Sequence, residues 1–152
     1  MEKRKFGFDY LHYASLAELS AGDRELADRA FDACKMAFAP YSRFKVGAAA
    51  RLADGQVIMA GNQESPVFPA GVCAERALLY YHQSHHPDHA IVALAVASDP
   101  AQRECRPCGI CRQTLVDTEE RQGTPIRIIM VGPDSATEVG SAKELLPFHF
   151  EM

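Results

Sequence analysis

Five side chains in this sequence could do chemistry together: Cys73 and Glu75 in GVCAERALLYY (71–81), and Cys105, Cys108 and Cys111 in CRPCGICRQ (105–113). Packing gives no reason to set a glutamate two residues after a cysteine where a buried, apolar helix begins. Cys-x2-Cys alone serves zinc, redox or iron–sulfur chemistry, and in its blandest form is two small buried residues. Cys105 extends it to Cys-x2-Cys-x2-Cys, but the ferredoxin pattern needs a fourth Cys after three more residues, then Pro. Leu115 and Val116 stand there, so the iron–sulfur reading fails. Zinc remains. A catalytic zinc commonly has three protein ligands and a water, a structural zinc four ligands. Cys73, Cys108 and Cys111 make the three, and Cys105 could complete a structural four. The three-ligand reading ranks higher because it gives Glu75 a task. A carboxylate that reaches the metal's water without ligating the metal can shuttle its proton.

Composition removes other classes. The chain has 152 residues, 47% hydrophobic, enough for a real core in one domain. Its 16 Lys+Arg against 20 Asp+Glu give a formal charge of −4. Binding a polynucleotide needs clustered cations, and the one basic run, Glu2-Lys3-Arg4-Lys5, is short, terminal and read as solvated tail. No polynucleotide partner is expected. No apolar stretch approaches the roughly 20 residues that span a bilayer, and the N-terminus is too aromatic and broken up for a signal peptide. Five cysteines, three of them within seven residues, make a poor disulfide framework. A cytoplasmic protein with no membrane partner is expected.

The elements that must position these residues follow from periodicity and punctuation. Ser20 caps a helix running to about Ala39, with Leu26, Ala30, Ala33, Cys34 and Ala37 at helical spacing and Pro40 as its stop. Cys34 is on that stripe and belongs to the core. Phe44–Leu52 and Val57–Ala60 flank Asp54-Gly55, a hairpin signal. A polar, proline-bearing loop (62–71) leads to the helix opened by Cys73, which fades near His85-His86-Pro87. Ile91–Ala97 is a buried strand. Pro107-Cys108 suits the first turn of a helix reaching about Glu120, and Ile126–Val131 is a second buried strand. Pro133-Asp134-Ser135 turns the chain into a short helix, Ser141–Leu146. Two buried strands separated by a helix imply a parallel crossover. The fold expected is α/β: a mixed central sheet with helices on both faces, a three-layer α/β/α sandwich. Residues 1–19 are an N-terminal extension to which no structure is assigned.

A non-ligating Glu soon after the first ligand, then Pro-Cys-x2-Cys, is the known pattern of zinc deaminases, whose first ligand is His or Cys. Here it is Cys73. The chain resembles the cytidine deaminase family of the small, single-domain kind. The matching blocks, in family order, are APYSRFKVGAA (39–49), GNQE (61–64), CAER (73–76), PCGICRQ (107–113) and ELLPFHF (144–150). The resemblance implies one cytidine deaminase-like domain over residues 1–152, with one Zn2+ per chain on Cys73, Cys108 and Cys111. It implies that Glu75 is the catalytic acid and base, and that cytidine or deoxycytidine is hydrolysed to uridine or deoxyuridine and ammonia. It also implies that Arg76 hydrogen-bonds the ligating sulfurs, Asn62 and Glu64 hold the ribose 3′-hydroxyl, and Phe44 lines the base pocket. Phe150 is implied to reach a neighbouring subunit's site, which makes the assembly a homotetramer.

Three thiolates on a divalent ion leave a charge of −1, which two helix N-termini can offset. Arg76 helps, and Arg112 either does so or is an exposed helix charge. A negative Glu64 beside the sugar repels an attached phosphate, so a free nucleoside is the expected substrate. The family pattern Asn-x-Glu-Asn-Ala-Ser-Tyr is broken here by Ser65, Pro66, Val67 and Phe68. That departure keeps open a deaminase of another aminated base or analogue, such as blasticidin S. A structural zinc module is the rival from another class, opposed by the net charge and by Glu75. No family role falls on His82, His85, His86 or His89.

Overall fold

Two strands of nearly unbroken apolar sequence lie at the centre of the molecule. In this computed structural model, which describes residues 1–151, β4 (Ile91–Asp99) and β5 (Arg127–Val131) pair in parallel, from Ala93 opposite Arg127 to Val96 opposite Met130. Antiparallel β2 (Lys45–Leu52) and β3 (Val57–Gly61) extend the sheet on one side. Antiparallel β6 (Ala136–Val139) and then β1 (Leu11–Tyr13) extend it on the other. The order β1-β6-β5-β4-β2-β3 is a mixed sheet, as expected. Met152, the last residue of the expected domain, lies outside the described residues.

Alternation along the strands sorts two cores. Ala48, Ala50, Leu94, Val96, Ile128 and Met130 pack with α2 (Ala74–His85) and α3 (Gly109–Gln122). Ala49, Ala93, Ala95, Ala97, Ile129 and Val131 pack with α1 (Ala21–Ala33). Helices therefore cover both faces. The face under α1 is mostly alanine, which lets the helix sit close. Gly47 continues it: a Cβ there would overlap the Ala30 carbonyl oxygen.

Ser20 caps α1 as read, accepting from the Asp23 N–H at 3.1 Å. The helix ends earlier than its periodicity suggests, tightening to a 3-10 turn over Cys34–Met36 instead of reaching Ala39. The backbone of the loop at 62–71 wins that competition. Phe38 N–H donates to Asn62 O and accepts, at its own carbonyl, from Glu64 N–H, both at 2.8 Å. The expected helix 141–146 is only a 3-10 turn, Ala142–Leu145, despite a complete capping box between Ser141 and Glu144. β6 and β1 have no counterpart in the sequence reading. β6 carries Glu138 in its apolar run, and the charge that hides it is buried in an ion network. Arg127 reaches Glu138 at 2.7 Å and Asp23 at 2.9 Å, and Tyr13 donates to Glu138 at 3.0 Å. That network ties β1, α1, β5 and β6 together. Among the described residues no helix is long and apolar enough to cross a membrane.

Candidate metal centre

Helix caps normally carry Ser, Thr, Asp or Asn, whose oxygen satisfies a first-turn N–H. Here α2 and α3 are capped by Cys73 and Cys108, both in extended backbone and neither making a side-chain cap bond. Pro107 stands one residue before that cap, not within the first turn, and its carbonyl accepts from Arg112 Nε at 2.9 Å. Cys111, in the first turn of α3, is fully buried. The Sγ atoms of Cys73 and Cys108 are 3.9 Å apart, those of Cys108 and Cys111 3.4 Å, and all three lie within 4.8 Å of one another. Tetrahedral zinc with bonds of about 2.3 Å separates its sulfur ligands by about 3.8 Å. The three thiols fit the ion, and the positive ends of two helices meet there.

Cys105 is not among them. It is buried in the α2–α3 core, and burial pushes its thiol up to about 12. The four-cysteine structural site loses its fourth ligand. Cys34 is core, as read. A second grouping among the described residues, Glu120, His149 and Glu151, lies near the C-terminus. There Lys143 Nζ already pairs with Glu120 Oε1 at 3.3 Å, so cationic charge is present without a metal.

The surroundings of the cluster favour negative charge on one of its thiols. A hydrogen bond from Cys111, with help from Arg76 and Cys108, pulls Cys73 down to about 5 against the effect of burial. Cys111 moves up, through that same bond and through burial. The Arg76 Nε is buried without a hydrogen-bond partner, a donor left over beside sulfurs that gain charge on binding a metal. Glu75 is 3% exposed, and burial first, then the Cys73 charge, raises its carboxyl above the ordinary range. A carboxyl moved toward neutrality can both give and take a proton. Arg112 is half-buried rather than an exposed helix charge. It binds Pro107 O and, through Nη1, Leu145 O at 2.9 Å, fastening the C-terminal turn to α3.

A second group of candidates forms the loop beside β2. Glu64 accepts from Tyr41 N–H at 2.9 Å, from Ser42 N–H at 3.2 Å and from the Ser42 hydroxyl. Asn62 accepts from Val46 N–H at 2.7 Å and donates to Phe44 O at 3.1 Å. A carboxylate offers about four acceptor positions, so Glu64 keeps one and Asn62 keeps one donor and one acceptor. In the altered stretch Ser65 Oγ accepts from Val67 N–H, and Phe68 opens a 3-10 turn with its side chain exposed. Phe150 stands apart from both groups, 71% exposed. Its backbone N–H and C=O are clasped by the Gln113 carboxamide, each bond 3.1 Å. That role of Gln113 escaped the sequence reading; its place two residues after Cys111 was the only signal.

The zinc-binding region of cytidine and deoxycytidylate deaminases matches residues 20–123, more than half of the chain. A cytidine deaminase of Halalkalibacterium halodurans is 41% identical over 96 residues, covering 62% of this chain and 71% of that protein. A probable cytidine deaminase of Dictyostelium discoideum is 32% identical over 79% of this chain and 78% of its own length. Among solved structures, the cytidine deaminase of Burkholderia pseudomallei superposes with a TM-score of 0.71 at 32% identity, covering 83% of this chain and 97% of that one. The enzyme from Mycobacterium tuberculosis gives 0.69 at 30% identity, with 88% and 100% covered.

Proposed function

This chain belongs to the cytidine deaminase family with its zinc-binding region, and from that premise we propose that it hydrolyses cytidine or deoxycytidine to uridine or deoxyuridine and ammonia. The observation that carries the reading is the buried Glu75 carboxyl, raised toward neutrality beside three converging thiols. Cys73, Cys108 and Cys111 would hold the ion, and zinc bound there supplies Lewis-acid activation of water. Glu75 would take a proton from the attacking water and deliver it to ring N3 as the oxygen adds at C4. It would then take the proton of the new C4 hydroxyl and pass it to the amine, which leaves as ammonia as the C4 carbonyl forms. Arg76 donates to the ligating sulfurs and limits their negative charge. Asn62 and Glu64, already fastened to the loop, present their remaining donor and acceptors to the ribose 3′-hydroxyl, and Phe44 packs on the base.

The same reading takes residues 1–152 as one domain working as a homotetramer in the cytoplasm. The exposed ring of Phe150 supports the assembly, since a neighbour's site would cover it, and five unpaired cysteines suit a reducing compartment. A second reading, deamination of another aminated base or of an analogue such as blasticidin S, is favoured by the altered stretch 65–68. Ammonia release from cytidine, deoxycytidine, cytosine, adenosine and blasticidin S separates the two. Turnover of the first two is expected; turnover of blasticidin S alone would replace the proposal with its rival.

A further inference from the structure

Residues 1–10 are exposed throughout, form no regular element and lie outside the matched family region. Yet Phe6, Phe8 and Tyr10 occupy every second position. In extended chain such positions share a side, and here they form a ladder: the ring centroids of Phe6 and Phe8 are 6.5 Å apart, those of Phe8 and Tyr10 6.4 Å. The C-terminal tail joins it, with Phe148, 95% exposed, 6.3 Å from Phe6. Phe148 has φ 54, a left-handed backbone that bulky residues rarely adopt. Its ring is held in water at a conformational cost.

With about 150–250 Å² per aromatic side chain, these four rings expose roughly 500 Å² in one patch. The largest apolar patch of an ordinary monomer is about 300–600 Å². A patch of that size would supply much of the roughly 800 Å² per partner of a standard interface. Charge selects the occupant. Lys3, Arg4 and Lys5 crowd the tip of the arm against Glu2 alone, in a chain whose 20 acidic side chains outnumber 16 basic ones. A second copy offers this arm both an equivalent aromatic patch and an acidic body. A nucleic acid or anionic membrane would attract the tip but be repelled by the rest. β1, which continues the arm, is also the outer edge of the sheet, where backbone groups are open to pairing.

We infer that residues 1–13 are a docking arm for a second copy of this chain, their rings packing on the partner's own arm and C-terminal tail. This deepens the homotetramer reading and rests on it. Phe8 and Tyr10 also wall a cleft of about 1520 Å³ that borders Phe44, so docking would close a space beside the proposed base pocket.

Sedimentation of the full-length protein over a range of concentrations tests the arm with two variants. Phe6→Ser/Phe8→Ser/Tyr10→Ser removes exposed rings, and Lys3→Glu/Arg4→Glu/Lys5→Glu reverses the tip. Circular dichroism and zinc content serve as controls of fold. The parent should self-associate, the ring variant should associate at least about a hundredfold more weakly, and the charge variant should weaken in a salt-dependent way. A parent that assembles while both variants assemble as tightly overturns the arm and leaves the tetramer reading standing. A parent that stays monomeric at every concentration while deaminating cytidine overturns both. Should the ring variant misfold, the charge variant decides alone, and unchanged association is then fatal to the arm.

Discussion

The thiol cluster at the starts of α2 and α3 and the loop carrying Asn62 and Glu64 both hold polar groups in fixed positions, by opposite means. Around the cluster, polar atoms are left wanting: Arg76 Nε has no partner, two caps make no cap bond, and Glu75 is buried with its carboxyl raised. In the loop nearly everything is satisfied, Glu64 by three donors and Asn62 at both ends of its amide. Buried groups without partners are rare because each costs free energy, and the Arg76 Nε beside the sulfurs is one of them. The few positions left free on Asn62 and Glu64 are the ones the proposed function assigns to a neutral hydroxyl.

The largest expected break in that comparison is removal of a thiol from the cluster. Cys108→Ala should lower zinc from one per chain to near zero and abolish turnover, whereas Cys105→Ala should retain both. Metal analysis of the purified variants checks this; loss of zinc from Cys105→Ala would restore the fourth ligand. In the loop the effect should be smaller and selective. Glu64→Gln removes a charge-assisted bond of about 1.5–3 kcal/mol, so kcat/KM for cytidine should fall roughly ten- to a hundredfold. Cytosine, which lacks the sugar, is the control. An equal fall on cytosine would make Glu64 only the clamp of residues 41 and 42.

The smallest effect lies away from both regions. Burial would raise Asp23, but hydrogen bonds from Arg127 and Ser20 outweigh it and hold its carboxyl below the ordinary 3.8. A carboxyl depressed on folding stabilises the protein above that value, and the contribution is lost as pH falls below it. Asp23→Asn should therefore flatten the acid slope of stability. With Arg127 itself partly exposed, the change at neutral pH should be on the order of 1 kcal/mol or less. Thermal unfolding near pH 3 and pH 7 measures it, and an unchanged slope would remove Asp23 from the acid response.

The central strands, the three helices and the thiol cluster were legible because each is written in local terms: apolar runs, a cap, a motif with fixed spacing. What was missed depends on distant partners. β6 is concealed by Glu138, which is buried because Arg127, itself also paired with Asp23, and Tyr13 reach it from other elements. β1 exists because β6 offers it an edge. The end of α1 was overrun because the bonds that stop it come from residues 62 and 64. Arg112 and Gln113 were visible as polar residues beside Cys111, but their partners, Leu145 and Phe150, are more than thirty residues away.

One measurement bears most directly on the claim that Glu75 is the proton carrier beside the metal. Glu75→Gln replaces the titratable carboxyl with an amide of nearly the same shape, at a position too buried for water to substitute freely. Zinc content and ammonia release from cytidine, measured on the same preparation, should show one zinc per chain with turnover lowered by more than the usual 10²–10⁴ of general acid–base loss, about 10⁴-fold or beyond, because the residue serves in both directions. Zinc retained with turnover within tenfold of the parent would contradict the account and leave Glu75 a buried acid with no part in the reaction.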